Sequence, residues 1–370
     1  MSVWRLLVDR GSYADFSVSV SPAVEKAVTL GEAPPTVFLF VFDSDSITIG
    51  VNEDPEQVLD LDFCRARGID FRRRVNGGGP VYAGAGSAFL IYFLPVSHKQ
   101  VPATTEAAFR KILTAVADVF RDRYGFAAEY RPLNDIQVEG RKLVPTSLKI
   151  EDGTMTLRIV VNVKPIDTGL AGRAMPMPPE KVRDKALKTL ESRFTWLERE
   201  AGRAIDEAEL AELAVACTER AFGESGLARG TLGPVERSYA DDFRAELDTE
   251  RWLFAKSERT RFARLLGSGD TVGRGREKAM GGMIRATLAV REGRVLHAIV
   301  NGDWHPRPLD SADWLERALT GAPAEPAALR RAVQAFLARE EVEFAGIGED
   351  DLMVALEAAL AGLRPWNAPS

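Results

Sequence analysis

Residues 72–84 read Arg-Arg-Arg-Val-Asn-Gly-Gly-Gly-Pro-Val-Tyr-Ala-Gly. An apolar run from Ala88 to Leu94, a buried strand by its content, follows close behind. The segment from Ile69 to Val75 reads as a strand leading into the three glycines. The chain must therefore turn tightly between two strands. Glycine lacks a Cβ and permits positive φ, so backbone here can fold sharply and come close to a ligand. Successive backbone N–H groups in such a turn can form an anion-binding concavity. Arginines beside it grip carboxylate or phosphate through two donors at once. The competing reading is a hairpin turn with a solvated basic edge, and a short glycine motif does not separate the two.

The length of 370 residues suggests two or three domains. At 45% hydrophobic and 28% charged residues, the chain can bury a sizeable core. The net charge of -6 is opposite to the basic excess of a nucleic-acid-binding domain. The arginine cluster is thus a local feature, suited to a small anion or an acidic partner surface. Cys64 and Cys217 lie far apart and form neither a disulfide framework nor a zinc pattern. A reduced, cytoplasmic compartment fits that usage. No stretch reaches the ~18–20 apolar residues of a membrane helix, and the N-terminal apolar run is too short for a signal peptide. With only His98, His297 and His305 in the chain, histidine chemistry has few candidates.

In chain order, strands are expected at Trp4 to Val8, Thr36 to Phe42 and Ile47 to Val51. Helices are expected at Ser21 to Leu30, with Ser21 as cap and Pro22 in the first position, and at Asp54 to Arg67. Thr104 to Tyr124 carries apolar residues at helical spacing, and Gly125 supplies a C-cap. Ile136 and Val138 alternate with polar residues, Glu139-Gly140 makes a tight turn, and Lys142 starts the return strand. A second hairpin turns at Glu151-Asp152-Gly153. From Pro178 onward helices dominate: Glu180 to Arg199, Asp206 to Phe222 and Tyr239 to Ala255, with a linker from Gly223 to Gly233. A hairpin around Glu292-Gly293 and three helices, from Ser311, Pro326 and Glu349, complete the chain.

The hairpin closed at Glu139-Gly140 carries Asn134, Asp135 and Lys142. Asp135 and Lys142 fall on paired strands and can approach one site, with the register open by a residue. An aspartate binds Mg²⁺ or accepts from an amine, and a lysine binds phosphate as a point charge. Read as surface charges, the same two residues are worth little.

These two stretches resemble a known family. Residues 72–82 are similar to the RRxSGGGAVYH segment of lipoate–protein ligases, and residues 134–143 (Asn-Asp-Ile-Gln-Val-Glu-Gly-Arg-Lys-Leu) to their NDILVDGKKI segment. Three further stretches match in the same order: Thr36 to Gly50, Pro179 to Arg193, and Met280 to Trp304. The resemblance implies an α+β fold: mixed and antiparallel sheets with flanking helices, biotin/lipoate ligase-like and class II synthetase-like, plus a small α+β accessory domain. It implies a catalytic domain at 1–223, a linker and connecting helix at 224–255, and the accessory domain at 256–370. The implied activity is ATP-dependent activation of lipoate, or a related acid, to an acyl-adenylate. Transfer to a lysine of an acidic lipoyl-type carrier domain follows, with Mg²⁺ and with no nucleic acid or membrane involved.

By the same resemblance, Lys142 is the catalytic residue, expected on the acyl carbonyl and phosphate. Arg73, Arg74, Asn76, Gly77, Gly78, Gly79 and Tyr82 line the lipoyl and phosphate pocket. Asn134 and Asp135 handle phosphate and, at Asp135, the metal; Asp152 stands where the family has a pocket histidine. Val75, Val81 and Phe89 offer walls for the acyl tail, or simply core packing. The chain departs from the family at several motif positions. Asn76 replaces a serine, Pro80 an alanine, Ala83 a histidine and Gly84 an acid. Pro145 replaces a glycine, and Ser19 and Val20 stand where the family has acidic residues. These departures keep two alternatives open: a non-catalytic homologue that binds a carrier domain, and an ATP-independent octanoyl or lipoyl transferase. Cys64 and Cys217 fall at no motif position, which counts against a cysteine-dependent transferase.

Overall fold

The computed structural model describes residues 3–102, 104–132, 134–176, 194–262 and 265–366. The chain forms two compact units that are not contiguous in sequence. The first comprises residues 1–47, 63–70 and 82–246; the second comprises 48–62, 71–81 and 247–370.

The first unit is built on an eight-stranded mixed sheet. Its strands are β1 (Arg5–Gly11), β2 (Thr36–Phe42), β6 (Ala88–Pro95), β7 (Ala128–Arg131), β8 (Asp135–Val138), β9 (Arg141–Glu151), β10 (Thr154–Val161) and β11 (Ala228–Gly230). The chain passes between the units within three short strands, β3 (Ser46–Ile49), β4 (Asp70–Arg73) and β5 (Val81–Ala83). The sheet order is β11-β1-β2-β6-β10-β9-β8-β7. The β11/β1 and β1/β2 pairs are parallel, and the remaining pairs are antiparallel. Strand β2, Thr-Val-Phe-Leu-Phe-Val-Phe, is buried along its whole length. Its alternate residues serve two cores. Val37, Leu39 and Val41 pack with the helices Thr105–Tyr124 and Glu207–Phe222. Phe38, Phe40 and Phe42 join Tyr13, Phe16 and Phe89 on the other face. A strand buried on both faces reads as a continuous apolar run, as this one does.

The second unit has an antiparallel sheet of β12 (Thr271–Ala279), β13 (Gly282–Arg291), β14 (Arg294–Gly302) and β17 (Arg364–Pro365), in the order β14-β13-β12-β17. A short pair, β15 (Pro306–Arg307) and β16 (Glu343–Phe344), accompanies it. Helices Ser311–Leu319, Pro326–Leu337 and Glu349–Ala361 share its apolar core with Ile284, Leu288 and Val300. The hairpin expected at Glu292-Gly293 is present, with both residues at positive φ.

Several expectations are corrected. The helix expected from Ser21 runs from Val20 to Thr29 with Ser19 as its N-cap, after an unexpected helix at Tyr13–Val18. Asp54 to Arg67 is two short helices, Pro55–Val58 and Leu61–Ala66. The linker is no linker: β11 extends the main sheet, and helix Pro234–Leu247 follows it, tied down by an ion pair from Arg5 to Glu236. The long helix expected to Ala255 breaks at Asp248 because Thr249 caps a new one, Glu250–Leu253, by accepting from the Trp252 N–H at 3.2 Å. Strand β12 escaped notice because Gly273 and Gly275 weaken its strand signature. Of the segment 179–193 that matched the family, and of the expected helix Glu180 to Arg199, residues 177–193 lie outside the described residues; the helix Leu197–Ala201 is within them.

Candidate active site

The β8–β9 hairpin turns through Glu139 (φ 49°) and Gly140 (φ 77°). That geometry matches the twist of the strands it joins. Val138 pairs with Arg141 and Gln137 with Lys142, after which the register shifts. Ile136 then pairs with Val144 and Asp135 with Pro145, so Leu143 is the extra residue of a β-bulge. The shift puts two consecutive apolar side chains, Leu143 and Val144, into the core. It leaves Lys142, Gln137 and Asp135 on the opposite face. There Lys142 Nζ meets Asp135 Oδ2 at 2.8 Å, with the two side chains 34% and 18% exposed. Asp135 Oδ1 is buried and has no hydrogen-bond partner among the described residues.

Both ends of this pair are fixed by neighbouring backbone. The Asn134 side-chain amide donates to the Thr146 carbonyl at 2.6 Å, and the Thr146 hydroxyl donates to the Asn134 carbonyl at 2.6 Å. The reciprocal bonds lock the strand end across the bulge. The Lys142 carbonyl accepts from the Thr195 N–H at 3.0 Å. The same segment continues to Leu197 and Glu198, whose N–H groups donate to Asn162 and Val163.

Val163 borders a cavity of about 440 Å³. Val41, Phe42, Ile205 and Leu210 give it an apolar floor, and Arg10 and Lys164 stand among its lining with Asp43, Asp206 and Glu207. Sequence reasoning did not find this cavity. A strand signature located Val41, but its meeting with Val163 and the start of helix Glu207–Phe222 is a long-range event.

Tyr82 is half-buried in the first unit, and burial, then Asp45 beside it, push its phenol well above the usual range. Asp152 does not join Lys142. It occupies the exposed tip of the β9–β10 turn at φ 49°, followed by Gly153 at 78°. Strand β9 runs between the two residues, ~30 Å of extended chain. Asp152 is a turn residue, chosen with Gly153 for its tolerance of positive φ. Phe89 packs in the aromatic core at 4% exposure, behind Phe42, and is not among the residues lining this cavity.

The arginine–glycine turn belongs to the second unit, where protein groups take up much of its hydrogen-bonding capacity. Arg73 is fully buried. Its guanidinium donates to the carbonyls of Trp252 and Leu253 at the end of helix Glu250–Leu253, and to those of Gly50 and Val51. Burial lowers its pKa to about 10, which leaves it charged at neutral pH. Arg74 donates to Thr48, and to the carbonyls of Gly77 and Gly79 at 2.6 and 3.0 Å. Arg72 pairs with Asp248 at 2.9 Å. The Asn76 carbonyl accepts from the Val51 N–H at 2.9 Å.

The glycines are needed for close packing. A Cβ on Gly77 would lie 2.8 Å from the Trp304 carbonyl, and one on Gly78 3.0 Å from His305 Nε2. On Gly79 it would sit 3.2 Å from Asp303 Cβ. The Gly78 N–H already donates to the Trp304 carbonyl at 3.2 Å. Arg73 and the three glycines therefore serve the interior of their own unit.

Among the described residues, no group of three or more His, Cys, Asp or Glu side chains could hold a metal, and no helix is long and apolar enough to cross a membrane. A single carboxylate still suits Mg²⁺, which keeps most of its ligands from water and substrate phosphate. Asp135 Oδ1, buried and without a partner, fits that part.

Comparison with known proteins agrees with this architecture. The chain is 25% identical over 278 residues to the octanoyltransferase LipM of Kyrpidia tusciae, covering 69% of this chain and all of that one. It is 23% identical to lipoate–protein ligase 1 of Staphylococcus aureus, over 78% and 81% of the two chains. Among solved structures, LipL1 of P. falciparum in complex with lipoate superposes with a TM-score of 0.69 at 14% identity, covering 95% of this chain and 98% of that one. A lipoate-protein ligase A bound with ATP gives 0.55 at 19% identity, over 68% and 99%. At such identities these structures speak to the fold, which is that of lipoate–protein ligases. The lipoyl protein ligase A/B catalytic domain matches residues 17–219, more than half of the chain, and the chain belongs to that family.

Proposed function

We propose that the protein is an acid–protein ligase. It activates lipoate or a related medium-chain acid with ATP and transfers the acyl group to a lysine of an acidic lipoyl-type carrier domain. The observation that carries this reading is the Lys142–Asp135 pair at 2.8 Å on the outer face of the bulged hairpin. In the first step the acid's carboxylate oxygen attacks the α-phosphorus of ATP. The bond from that phosphorus to the bridging oxygen breaks, and pyrophosphate leaves. Two anions meet in this step, and a fixed cation lowers its barrier. Lys142 supplies it, held in place by Asp135. In the second step the carrier's neutral ε-amine attacks the acyl carbon, the bond to AMP breaks, and the amine loses a proton to water. Mg²⁺, when bound with ATP, offsets phosphate charge, and Asp135 Oδ1 is the oxygen available to it. The cavity floored by Val41, Phe42, Val163, Ile205 and Leu210 is the proposed acyl pocket; one backbone segment, 194–198, bonds to both its rim and Lys142. The names of the relatives and the ATP-bound neighbour support this family of reactions.

A second reading, ATP-independent transfer of a preformed octanoyl thioester, is favoured by the likeness to octanoyltransferase LipM. A version that parks the acyl group on an enzyme thiol is disfavoured. Cys64 and Cys217 are both buried, and burial pushes the Cys217 thiol up to about 12. The thiolate is the nucleophile, and at Cys217 burial suppresses it.

The test uses the full chain with lipoate or octanoate, MgATP and a lipoyl-type domain, following AMP release and acyl-domain mass. Acid-dependent AMP supports the ligase; acylation only from an octanoyl thioester, without ATP, supports the transferase. Domain binding with neither product supports the non-catalytic homologue. Lys142→Ala, with its fold checked by circular dichroism, is expected to lose at least ~100-fold in rate, the scale for removing one charge-stabilising donor. Unchanged turnover in that variant would remove Lys142 from the site.

A further inference from the structure

A second polar cavity, of about 360 Å³, lies in the second unit and is lined by Arg261, His297, Asp313, Glu316, Arg317 and Thr320. Its floor is a closed set of charges. Glu316, 2% exposed, accepts from Lys256 at 2.9 Å, from Arg261 at 2.5 Å and from the Val300 N–H at 3.0 Å. Lys256 is also ion-paired to Asp313. Lys256 and Arg261 thus balance Asp313 and Glu316, charge for charge.

Two donors remain. Arg261 uses Nε on His297 Nε2, at 3.1 Å, and Nη2 on Glu316, leaving Nη1 without a partner among the described residues. His297 accepts that bond, so its proton sits on Nδ1 and the ring is neutral. Burial, then Arg261 and Lys256, hold its pKa below the ordinary value. Arg317 also lines the cavity and has no hydrogen bond or ion pair among the described residues. The five charged side chains here carry one positive charge in excess, within a chain of net charge -6.

We propose that this cavity binds a small phosphorylated molecule, its phosphoryl group held between Arg317 and Arg261 Nη1. Guanidinium groups suit phosphate because their N–H groups match its oxygens in pairs. Buried Glu316 and part-exposed Asp313 do not oppose the ligand, because each already faces a cation. A bare phosphate fills only part of the volume. The cavity falls in the range of small-molecule sites, roughly 300–1,000 Å³, so an organic body of sugar size is expected beside the phosphoryl group.

The probes are inorganic phosphate and ribose 5-phosphate, titrated calorimetrically into the full chain at low ionic strength against sodium chloride of equal strength. The expected result is saturable binding at one site, tighter for the sugar phosphate. Arg317→Gln, an exposed change with the melting temperature as fold check, should weaken binding at least tenfold. Lys142→Ala should bind as the wild type does, since it alters the other unit. Absence of saturable binding, or equal binding by Arg317→Gln, would overturn the proposal. Loss of binding in Lys142→Ala would also overturn it, by assigning the phosphate to the first unit.

Discussion

Arg73 shows how a residue can carry a family motif while serving the interior. Its side chain is fully buried, and its donors meet four backbone carbonyls rather than solvent. Lysine keeps the charge but has no planar fork, so it cannot reach all four. Each buried carbonyl left without a donor costs roughly 1–3 kcal/mol. Arg73→Lys is therefore expected to lower the urea midpoint by the equivalent of about 3 kcal/mol or more. A midpoint within about 0.5 kcal/mol of wild type would contradict the clamp role. The two cysteines make a second residue-scale prediction. Iodoacetamide at neutral pH should label neither Cys64 nor Cys217 in the folded chain and both after denaturation. Rapid labelling of the native protein would reopen a thiol-based transferase.

Elements are positioned by glycines that sequence reading treats as breaks. A Cβ on Gly275 of β12 would overlap the Ala355 carbonyl, and one on Gly273 the Ala359 carbonyl, both in helix Glu349–Ala361. The helix lies directly on the strand only because those side chains are missing. Gly275→Ala should push the helix off its seat and cost about 1–3 kcal/mol or more, the range for overpacking. Gly153, at φ 78° with open space around it, should lose only about 1 kcal/mol on the same change, from backbone strain alone. Thermal melts of the two variants separate these effects; equal losses would mean that close packing is not the reason for Gly275. In the β8–β9 hairpin, the turn was legible from Glu139-Gly140, but the bulge at Leu143 was not. No local signal announces an extra residue, yet it turns Leu143 and Val144 together into the core.

At the scale of the whole molecule, each unit carries an acid-sensitive carboxylate. Arg203 first, with Tyr124 and Arg123, holds Glu209 at about 2, below its ordinary 4.5. Arg291 first, then the Gly267 N–H, holds Asp270 at about 2, below 3.8. A group with a depressed folded pKa binds fewer protons folded than unfolded. Its stabilising effect is therefore complete above the unfolded pKa and is lost as pH falls toward the folded one. Stability should drop between about pH 4.5 and pH 2, and Glu209→Gln and Asp270→Asn should each make that acid limb shallower. An unchanged slope in urea titrations across this window would show that these pairs do not couple to folding.

Sequence alone determined the elements whose signals are local. The continuous apolar run of β2, the periodicity of Thr105–Tyr124 between Thr104 and Gly125, and the Asp-Gly and Glu-Gly turns all stand where expected. It also placed Asp135 and Lys142 on paired strands, because a hairpin's register follows from its turn. What tertiary structure alone decided depends on contacts between residues distant in the chain. Arg73 met backbone carbonyls, and the three glycines packed against Trp304, His305 and Asp303. A supposed linker supplied a sheet strand. A side chain's type fixes what it can bond to, but only the fold decides which partner reaches it first.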